Sequence, residues 1–325
     1  MVKIENTIII GAGPCGLSTA IELQNRGINP LIIEKENVVN SIYNYPTHQT
    51  FFSSSEKLEI GNIPFITEMK KPVRSQALAY YRSVADRKNI RINSYERVID
   101  VRRVDDGFTL ETEAQDGTTL KYNAQHVVVA TGYYDQPNSL GVKGEKLSKV
   151  NHYFKESHPY FNKNVVVIGG KNSAVDATLE LHKAGANITV LYRGDDYSKS
   201  VKPWILPEFE SLVRNQFIKM EFNAHVDEIT NDSVIYTVNG EKKAVNNDFV
   251  FAMIGYQPDQ VFLENIGIKI DIETGRPKFD EQTMETNIPG VFIAGVIAAG
   301  YNNNEIFIEN GRYHGERIAS VISQN

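Results

Sequence analysis

The run Thr7-Ile8-Ile9-Ile10-Gly11-Ala12-Gly13-Pro14-Cys15-Gly16 sets the architecture of the chain. Its short, β-branched, all-apolar opening reads as a parallel strand buried on both faces. Gly11, Gly13 and Gly16 follow at positions 1, 3 and 6 of a glycine motif, with Pro14 inside the same turn. A helix is expected over Leu17 to Arg26, closed by Gly27. A second apolar run, Pro30 to Ile33, ends on Glu34. Strand, glycine turn, helix, second strand and terminal acid together make a βαβ unit of the dinucleotide-binding type. Gly11 permits the tight turn, Gly13 lets the backbone approach a pyrophosphate, and Gly16 lets the helix pack close on the strand. The helix N-terminus offers unpaired N–H groups and partial positive charge, and Glu34 can accept hydrogen bonds from ribose hydroxyls. A glycine-rich turn in an unrelated α/β domain is the alternative.

A second unit lies mid-chain. Asn164 to Ile168 is another buried-strand run, followed by Gly169-Gly170-Lys171-Asn172-Ser173-Ala174, a helical stretch from Val175 to Lys183, Gly185, and a strand from Ile188 to Tyr192. Lys171 stands where the second glycine belongs, so it must point outward if a pyrophosphate is to approach. The acid expected at the end of the second strand is missing. Arg193 occupies that region, with Lys199 and Lys202 after it. A guanidinium can grip a 2′-phosphate that a carboxylate would repel, which favours NADPH over NADH; a solvated basic loop is the alternative. Three further strand-and-turn landmarks follow: Val127 to Ala130 before Thr131-Gly132, Phe249 to Ile254 before Gly255, and Val291 to Ala294 before Gly295. Residues 95 to 122 alternate apolar and polar around Asp105-Asp106-Gly107 and Asp116-Gly117, an antiparallel meander. One helix is expected from Glu305 to Ile322, weakened by Gly311 and Gly315.

Composition narrows the classes. A chain of 325 residues suggests about two domains, and 41% hydrophobic with 23% charged side chains is ordinary for a globular fold. No apolar run approaches the roughly 20 residues that span a bilayer. The N-terminus is a strand-like run without the basic start and cleavage site of a secretory signal, and with a single thiol a reducing cytoplasm is the expected compartment. A formal charge of −6 gives no reason to expect a nucleic-acid or anionic-membrane partner. Cys15 is the single cysteine, which excludes an internal disulfide or a two-cysteine redox pair within one subunit. The seven histidines show no close metal-ligand spacing, and no metal centre is expected.

Two such units, joined by Ala130-Thr131-Gly132 and closed by the late strand before Gly295, resemble the two-dinucleotide-binding-domain flavoproteins related to thioredoxin reductase. The resemblance implies an α/β fold of two Rossmann-like domains, the NADPH domain over 138–257 inserted into a discontinuous FAD domain over 1–137 and 258–325. It places the FAD pyrophosphate on Gly11, Gly13 and Gly16, the adenosine ribose on Glu34, and the adenine beside the backbone of Val98. Thr131 and Gly132 would line FAD near the domain junction, and Gly295 would lie near the ribityl chain. Relatives usually carry Asp after that glycine. This chain has Val296, so the missing hydrogen bond is expected from elsewhere, such as a backbone amide. Gly169 to Ala174, Gly255, Arg193 and Lys199 are the corresponding NADPH candidates.

Thioredoxin reductases of this size carry Cys-x-x-Cys, which a single cysteine cannot supply. Gly13-Pro14-Cys15-Gly16, the stretch Tyr43-Asn44-Tyr45-Pro46-Thr47-His48-Gln49-Thr50-Phe51-Phe52-Ser53, Gly169 to Ala174 and Tyr192-Arg193-Gly194 are together similar to the bacillithiol-disulfide reductases of low-GC Gram-positive bacteria. In that family the Lys171 and Val296 departures are themselves characteristic. The resemblance implies an NADPH-dependent FAD oxidoreductase that reduces a small-molecule disulfide and works as a homo-oligomer. The aromatic and hydroxyl side chains of Tyr43 to Ser55 are expected to pass over the flavin, with Gln49 and Thr50 near it; aromatics filling the domain interface are the alternative. Cys15, in the first turn of a helix, is expected to have a lowered pKa, and its thiolate can attack a disulfide and form a mixed disulfide. A small buried residue without chemistry is the alternative. The rival activities are a flavin-dependent monooxygenase, suggested by Ala130-Thr131-Gly132-Tyr133 with Pro137 and by Phe154 to Phe161, and a ferredoxin or flavodoxin–NADP reductase.

Overall fold

The computed structural model describes residues 2–302 and 304–324. The chain divides into two compact units: residues 1–44, 48–136 and 256–325, and residues 45–47 and 137–255. The first unit opens with β1 (Lys3–Ile10), α1 (Pro14–Gln24), β2 (Leu31–Glu34), α2 (Asn40–Tyr43), α3 (Arg74–Arg87) and β3 (Arg91–Ser94). The expected meander follows as β4 (Glu96–Val104), β5 (Gly107–Ala114) and β6 (Thr119–Val129). Parallel pairing runs β3-β2-β1-β6, and β5 and β4 continue the sheet antiparallel.

The second unit contains β7 (Val150–Asn151), β8 (Asn164–Ile168), α4 (Asn172–Lys183), β9 (Asn187–Leu191), α5 (Leu206–Arg214) and β10 (Lys219–Glu221). After them come β11 (Ala224–Ile229), β12 (Ser233–Val238), β13 (Glu241–Asn246) and β14 (Phe249–Ala252). A parallel sheet in the order β10-β9-β8-β14-β7 is accompanied by a separate antiparallel sheet, β11-β12-β13. The chain then returns to the first unit through α6 (Gln260–Asn265), β15 (Val291–Ile293), α7 (Ile308–Gly311) and α8 (His314–Ile322). β15 pairs in parallel with the C-terminal half of β6, Val291 opposite Val127.

Alternation explains why the central strands are apolar throughout. In β8, Val165 and Val167 pack with Ile188, Val190 and Phe251 against Val175, Leu179 and Leu181 of α4. The intervening Val166 and Ile168 pack with Val250 and Leu191 against Ile229, Val234 and Tyr236 of the antiparallel sheet. Each face of the strand meets a covering layer, so neither can be polar. In the first unit Ile8, Ile9, Ile32, Val127, Val128 and Phe292 are likewise buried, each side chain contributing about 1.5–3 kcal/mol.

Three expectations need correction. Both nucleotide-unit helices start three residues earlier than predicted, at Pro14 and Asn172, because the glycine turns lead directly into them. The strand expected to Ile254 ends at Ala252. The single helix expected over Glu305–Ile322 is two helices. The N–H of Tyr313 reaches only to Asn310 O, 3.2 Å, in the tighter i→i+3 manner, and α8 begins afresh at His314. Its glycines serve contact. A Cβ on Gly315 would lie 2.6 Å from Thr19 Cα, so the glycine lets α8 lie directly on α1.

Candidate nucleotide-binding ends and the Cys15 notch

The two glycine turns are built on the same backbone frame. Gly11 N–H donates to Ile33 O at 2.9 Å and Ala130 N–H to Ile10 O at 2.9 Å; Gly169 N–H donates to Leu191 O at 2.9 Å and Met253 N–H to Ile168 O at 2.8 Å. Gly11 and Gly169 have φ of 110° and 134°, and a Cβ on either would lie 2.6 Å from Ala130 O or 2.4 Å from Met253 O. Both positions therefore require glycine on sterics and dihedral alike. No side chain among the described residues caps α1 or α4, and neither first turn carries an acid. Their first N–H groups are available to an anion. A Cβ on Gly13 would meet open space among the described residues, leaving room for a pyrophosphate at the first turn. In the second turn Lys171 is the N-cap and is exposed, so its side chain is turned to solvent and does not fill the cradle.

Past this frame the ends differ. Gly16 is obligatory, since a Cβ there would lie 2.1 Å from Gly11 O, whereas Ala174 fits at the matching place in α4. Glu34 is buried, and its carboxylate accepts from Ala12 N–H at 2.7 Å and from Glu36 N–H at 2.9 Å. Burial pushes its pKa up, against the opposing pull of those two backbone bonds. The register of β9 against β8 puts Tyr192, and not Arg193, at the position of Glu34. The Tyr192 ring covers Gly170 so closely that a Cβ there would lie 2.4 Å from it, and Gly194 is crowded by the same ring at 2.5 Å. Arg193, one residue further, is exposed, as is Lys199.

The remaining first-unit candidates are spread along the same end. Tyr95 N–H donates to Glu36 O at 3.0 Å, which places the start of β4, and buried Val98 along it, beside the loop after Glu34. Thr131 follows Ala130 directly, and Gly132 takes a φ of 69°. Gln49 and Thr50 are pinned to the start of α3. Gln49 O accepts from Arg74 N–H at 2.8 Å, its amide donates to Thr50 O at 2.7 Å, and Thr50 bridges Val73. Val296 is half-buried in an otherwise buried run and opens the 3-10 turn Val296–Ala299. In the second unit Gly255 has a φ of 92°, and its carbonyl accepts from Asn138 N–H at 3.0 Å.

Cys15 occupies a notch. A Cβ on Gly295 or on Gly311 would lie 3.0 Å from Cys15 Sγ, so the thiol is lodged between the end of β15 and α7. The expected low pKa is corrected here: burial pushes the thiol up to about 12, and the Glu309 carboxylate adds to it. Glu309 is itself hydrogen-bonded by the Ser53 hydroxyl.

Sequence reading missed the residue that closes the notch. Gly295 N–H donates to buried His314 Nδ1 at 3.1 Å. Burial and the nearby Arg317 hold His314 down to about 4, so it is a neutral acceptor with its proton on Nε2. Nothing local marks it; only the close approach of α8 brings it to a residue 19 positions upstream. Tyr192 was missed as well, although aligning the two units strand by strand sets it against Glu34. Among the described residues no group of three or more His, Cys, Asp or Glu could hold a metal ion, and no helix is long and apolar enough to cross a membrane.

The sequence profile of the family described as pyridine nucleotide-disulphide oxidoreductase matches residues 8–295. A bacilliredoxin reductase Bdr of Bacillus subtilis (strain 168) is 64% identical over 323 residues, 98% of either chain. A solved structure of bacillithiol disulfide reductase Bdr (YpdA) from Bacillus cereus matches with a TM-score of 0.98 and 63% identity, covering 99% of both chains. Its Staphylococcus aureus counterpart matches with a TM-score of 0.95 and 57% identity, covering 99% of this chain and 98% of that one.

Proposed function

The chain belongs to the pyridine nucleotide-disulphide oxidoreductase family, and from that premise we propose that it is an NADPH-dependent FAD oxidoreductase reducing a low-molecular-weight disulfide, bacillithiol disulfide first. The observation that carries the reading is the pair of uncapped helix ends on one backbone frame, the first closed by buried Glu34 and the second followed by exposed Arg193 and Lys199. FAD, when bound, supplies the two-electron relay between a nicotinamide hydride and a disulfide.

The backbone N–H groups of Gly13, Cys15 and Gly16 hold the FAD pyrophosphate, while Pro14, which has no N–H to offer, fixes the first helical residue and Gly11 shapes the turn. Glu34 takes the adenosine ribose with the lone pairs its two backbone bonds leave, and the backbone at Val98 meets the adenine. Thr131, Gly132, Gln49, Thr50, Gly295 and Val296 line the rest. With Gly295 N–H committed to His314, the next amide along, Val296 N–H, is the proposed donor beside the ribityl chain. Gly169 to Ala174 and Gly255 form the corresponding site for NADPH, whose 2′-phosphate meets Arg193, Lys199 and Lys202. The protein is a homo-oligomer of the reducing cytoplasm in this reading.

Anaerobic NADPH oxidation by the flavin-loaded protein tests the proposal. Turnover should require bacillithiol disulfide, and its absence with that acceptor rejects the substrate. The name of the Bacillus subtilis relative supports a second acceptor, a bacilliredoxin, and the same assay with that protein discriminates the two. Cys15 is the proposed nucleophile, and its high pKa works against that role at neutral pH. A loss of at least about 100-fold in Cys15→Ala would assign the sulfur to the reaction, about 2.7 kcal/mol of transition-state stabilisation. Near-native turnover would leave it as packing between Gly295 and Gly311.

A further inference from the structure

The basic residues that follow β9 are held in two different ways. Arg193 sits on backbone braced on both sides: Tyr192 N–H donates to Glu221 O at 3.0 Å, Ala224 N–H to Tyr192 O at 2.9 Å, and Asn223 N–H to Gly194 O at 2.9 Å. Lys199 and Lys202 lie on the loop that leads to α5, and one side chain ties that loop to the nucleotide-binding turn. Asn172, the first residue of α4, donates from Nδ2 to Ser200 O at 2.8 Å and accepts at Oδ1 from Lys202 N–H at 2.9 Å. Loop and helix start are thus joined by a reciprocal pair that mimics a backbone ladder. Asn alone among the short side chains carries a donor and an acceptor in one plane; Asp lacks the donor, and Ser is too short for both contacts.

We infer that Asn172 is a positioning residue for coenzyme choice: its amide clamps the Ser200–Lys202 backbone to the first turn of α4, so that the loop's cationic side chains are delivered to the 2′-phosphate of NADPH. The inference rests on the NADPH reading above and deepens it. Asn172 is a glycine-motif residue whose side chain is spent on the protein, and its contribution to the coenzyme is indirect. The helix N-terminus would hold the pyrophosphate of NADH or NADPH alike. Discrimination resides in the cations, and an unanchored loop supplies them only at the entropic cost of ordering it on binding. The hydroxyls of Ser198 and Ser200, 2.8 Å apart, brace the same segment from within.

Calorimetric binding of 2′,5′-ADP and of 5′-AMP to the flavin-loaded protein tests this, alongside kcat/KM for NADPH and NADH. In Asn172→Ala the affinity for 2′,5′-ADP should fall about tenfold, while that for 5′-AMP falls less than about threefold. The NADPH/NADH ratio of kcat/KM should drop by a similar factor, carried by KM for NADPH. Asn172→Asp keeps the acceptor but loses the donor and sets a carboxylate beside the phosphates, so its selectivity should fall at least as far. Equal losses for both ligands, which a purely structural role would give, overturn the inference, as does an unchanged ratio or a rescue by Asp. Arg193→Ala separates this failure from failure of the parent reading. If the native protein does not prefer 2′,5′-ADP, the NADPH assignment falls and takes the clamp with it. A preference that Arg193→Ala abolishes and Asn172→Ala spares sinks the clamp alone.

Discussion

The turn between β1 and α1 and the turn between β8 and α4 share a hydrogen-bond frame and differ in everything laid over it. At the first, Gly16 is jammed against Gly11 O, Glu34 is buried with both carboxylate oxygens engaged, and His314 secures the adjoining Gly295 from within. At the second, Ala174 is tolerated, a tyrosine ring lies where the carboxylate was, and exposed Arg193 and Lys199 follow the strand. On the proposed reading the frame makes a dinucleotide end in either case, and the overlay decides how the nucleotide is held. Internal, desolvated contacts suit a prosthetic group that stays, and solvated charges suit a coenzyme that must leave each cycle. Exchanging the overlays residue by residue should therefore exchange these properties.

The largest effect is expected at the sixth position of the motif. Gly16→Ala should cost about 3 kcal/mol or more, because the added methyl meets a backbone oxygen that cannot move without β1. The purified variant should be largely free of flavin absorbance and should melt well below the parent. The reciprocal change, Ala174→Gly, should cost only about 1 kcal/mol and leave flavin content intact. Equal losses in the two variants would mean that the frame alone sets the packing and that the asymmetry is superficial.

Acid should separate the ends next. His314 ionises near 4 in the native state against 6.5 when free, so between those values the unfolded chain binds the extra proton. Its contribution is complete above pH 6.5 and is lost as pH falls toward 4, about 3 kcal/mol over the window. Flavin release and unfolding should steepen across that window in the native protein. His314→Asn, whose Oδ1 can replace Nδ1 as acceptor for Gly295 N–H, should flatten the dependence while keeping flavin at neutral pH. Identical acid profiles would remove His314 from the account of the first end.

These contrasts also show how far reading along the chain reaches. Both βαβ units were legible because their signals are local: apolar strands, glycines at fixed spacing, and Asp-Gly turns between β4, β5 and β6. What was not legible depends on contacts across the chain. The pKa of Cys15 is set by burial and by Glu309, 294 residues away, and so runs opposite to the expectation from its helix position. Gly311 and Gly315 weaken a helix by propensity, yet here they let α7 close on Cys15 and α8 on Thr19. Charge along the chain points to Arg193 in the region where the second acid is missing, whereas strand register gives the position of Glu34 itself to the ring of Tyr192.

Register makes Tyr192 the place to convert one overlay into the other. Tyr192→Glu puts a carboxylate where Glu34 stands in the first unit, uncovers Gly170, and sets negative charge beside the proposed 2′-phosphate site. The NADPH/NADH ratio of kcat/KM should fall about tenfold, 1.4 kcal/mol, with NADH gaining in absolute terms. An unchanged ratio would show that Arg193 and the clamped loop set selectivity without help from the strand end.

The smallest expected effect is the most discriminating control on that substitution. The Tyr192 atoms nearest Gly170 are Cγ, Cδ1 and Cδ2, and those nearest Gly194 are Cε1 and Cζ with the hydroxyl oxygen next, so the closest contact is made by the ring face and edge. If covering the two glycines is all the residue does, Tyr192→Phe should change the melting temperature by less than the equivalent of about 0.5 kcal/mol and leave coenzyme selectivity where it was. Tyr192→Ala, which removes the cover, should by contrast cost about 3 kcal/mol. A selectivity loss in Tyr192→Phe would instead make the hydroxyl a donor to the coenzyme. The second end would then hold its nucleotide by a polar group in the place of Glu34 after all, and the two overlays would differ in the sign of the hydrogen bond and not in its presence.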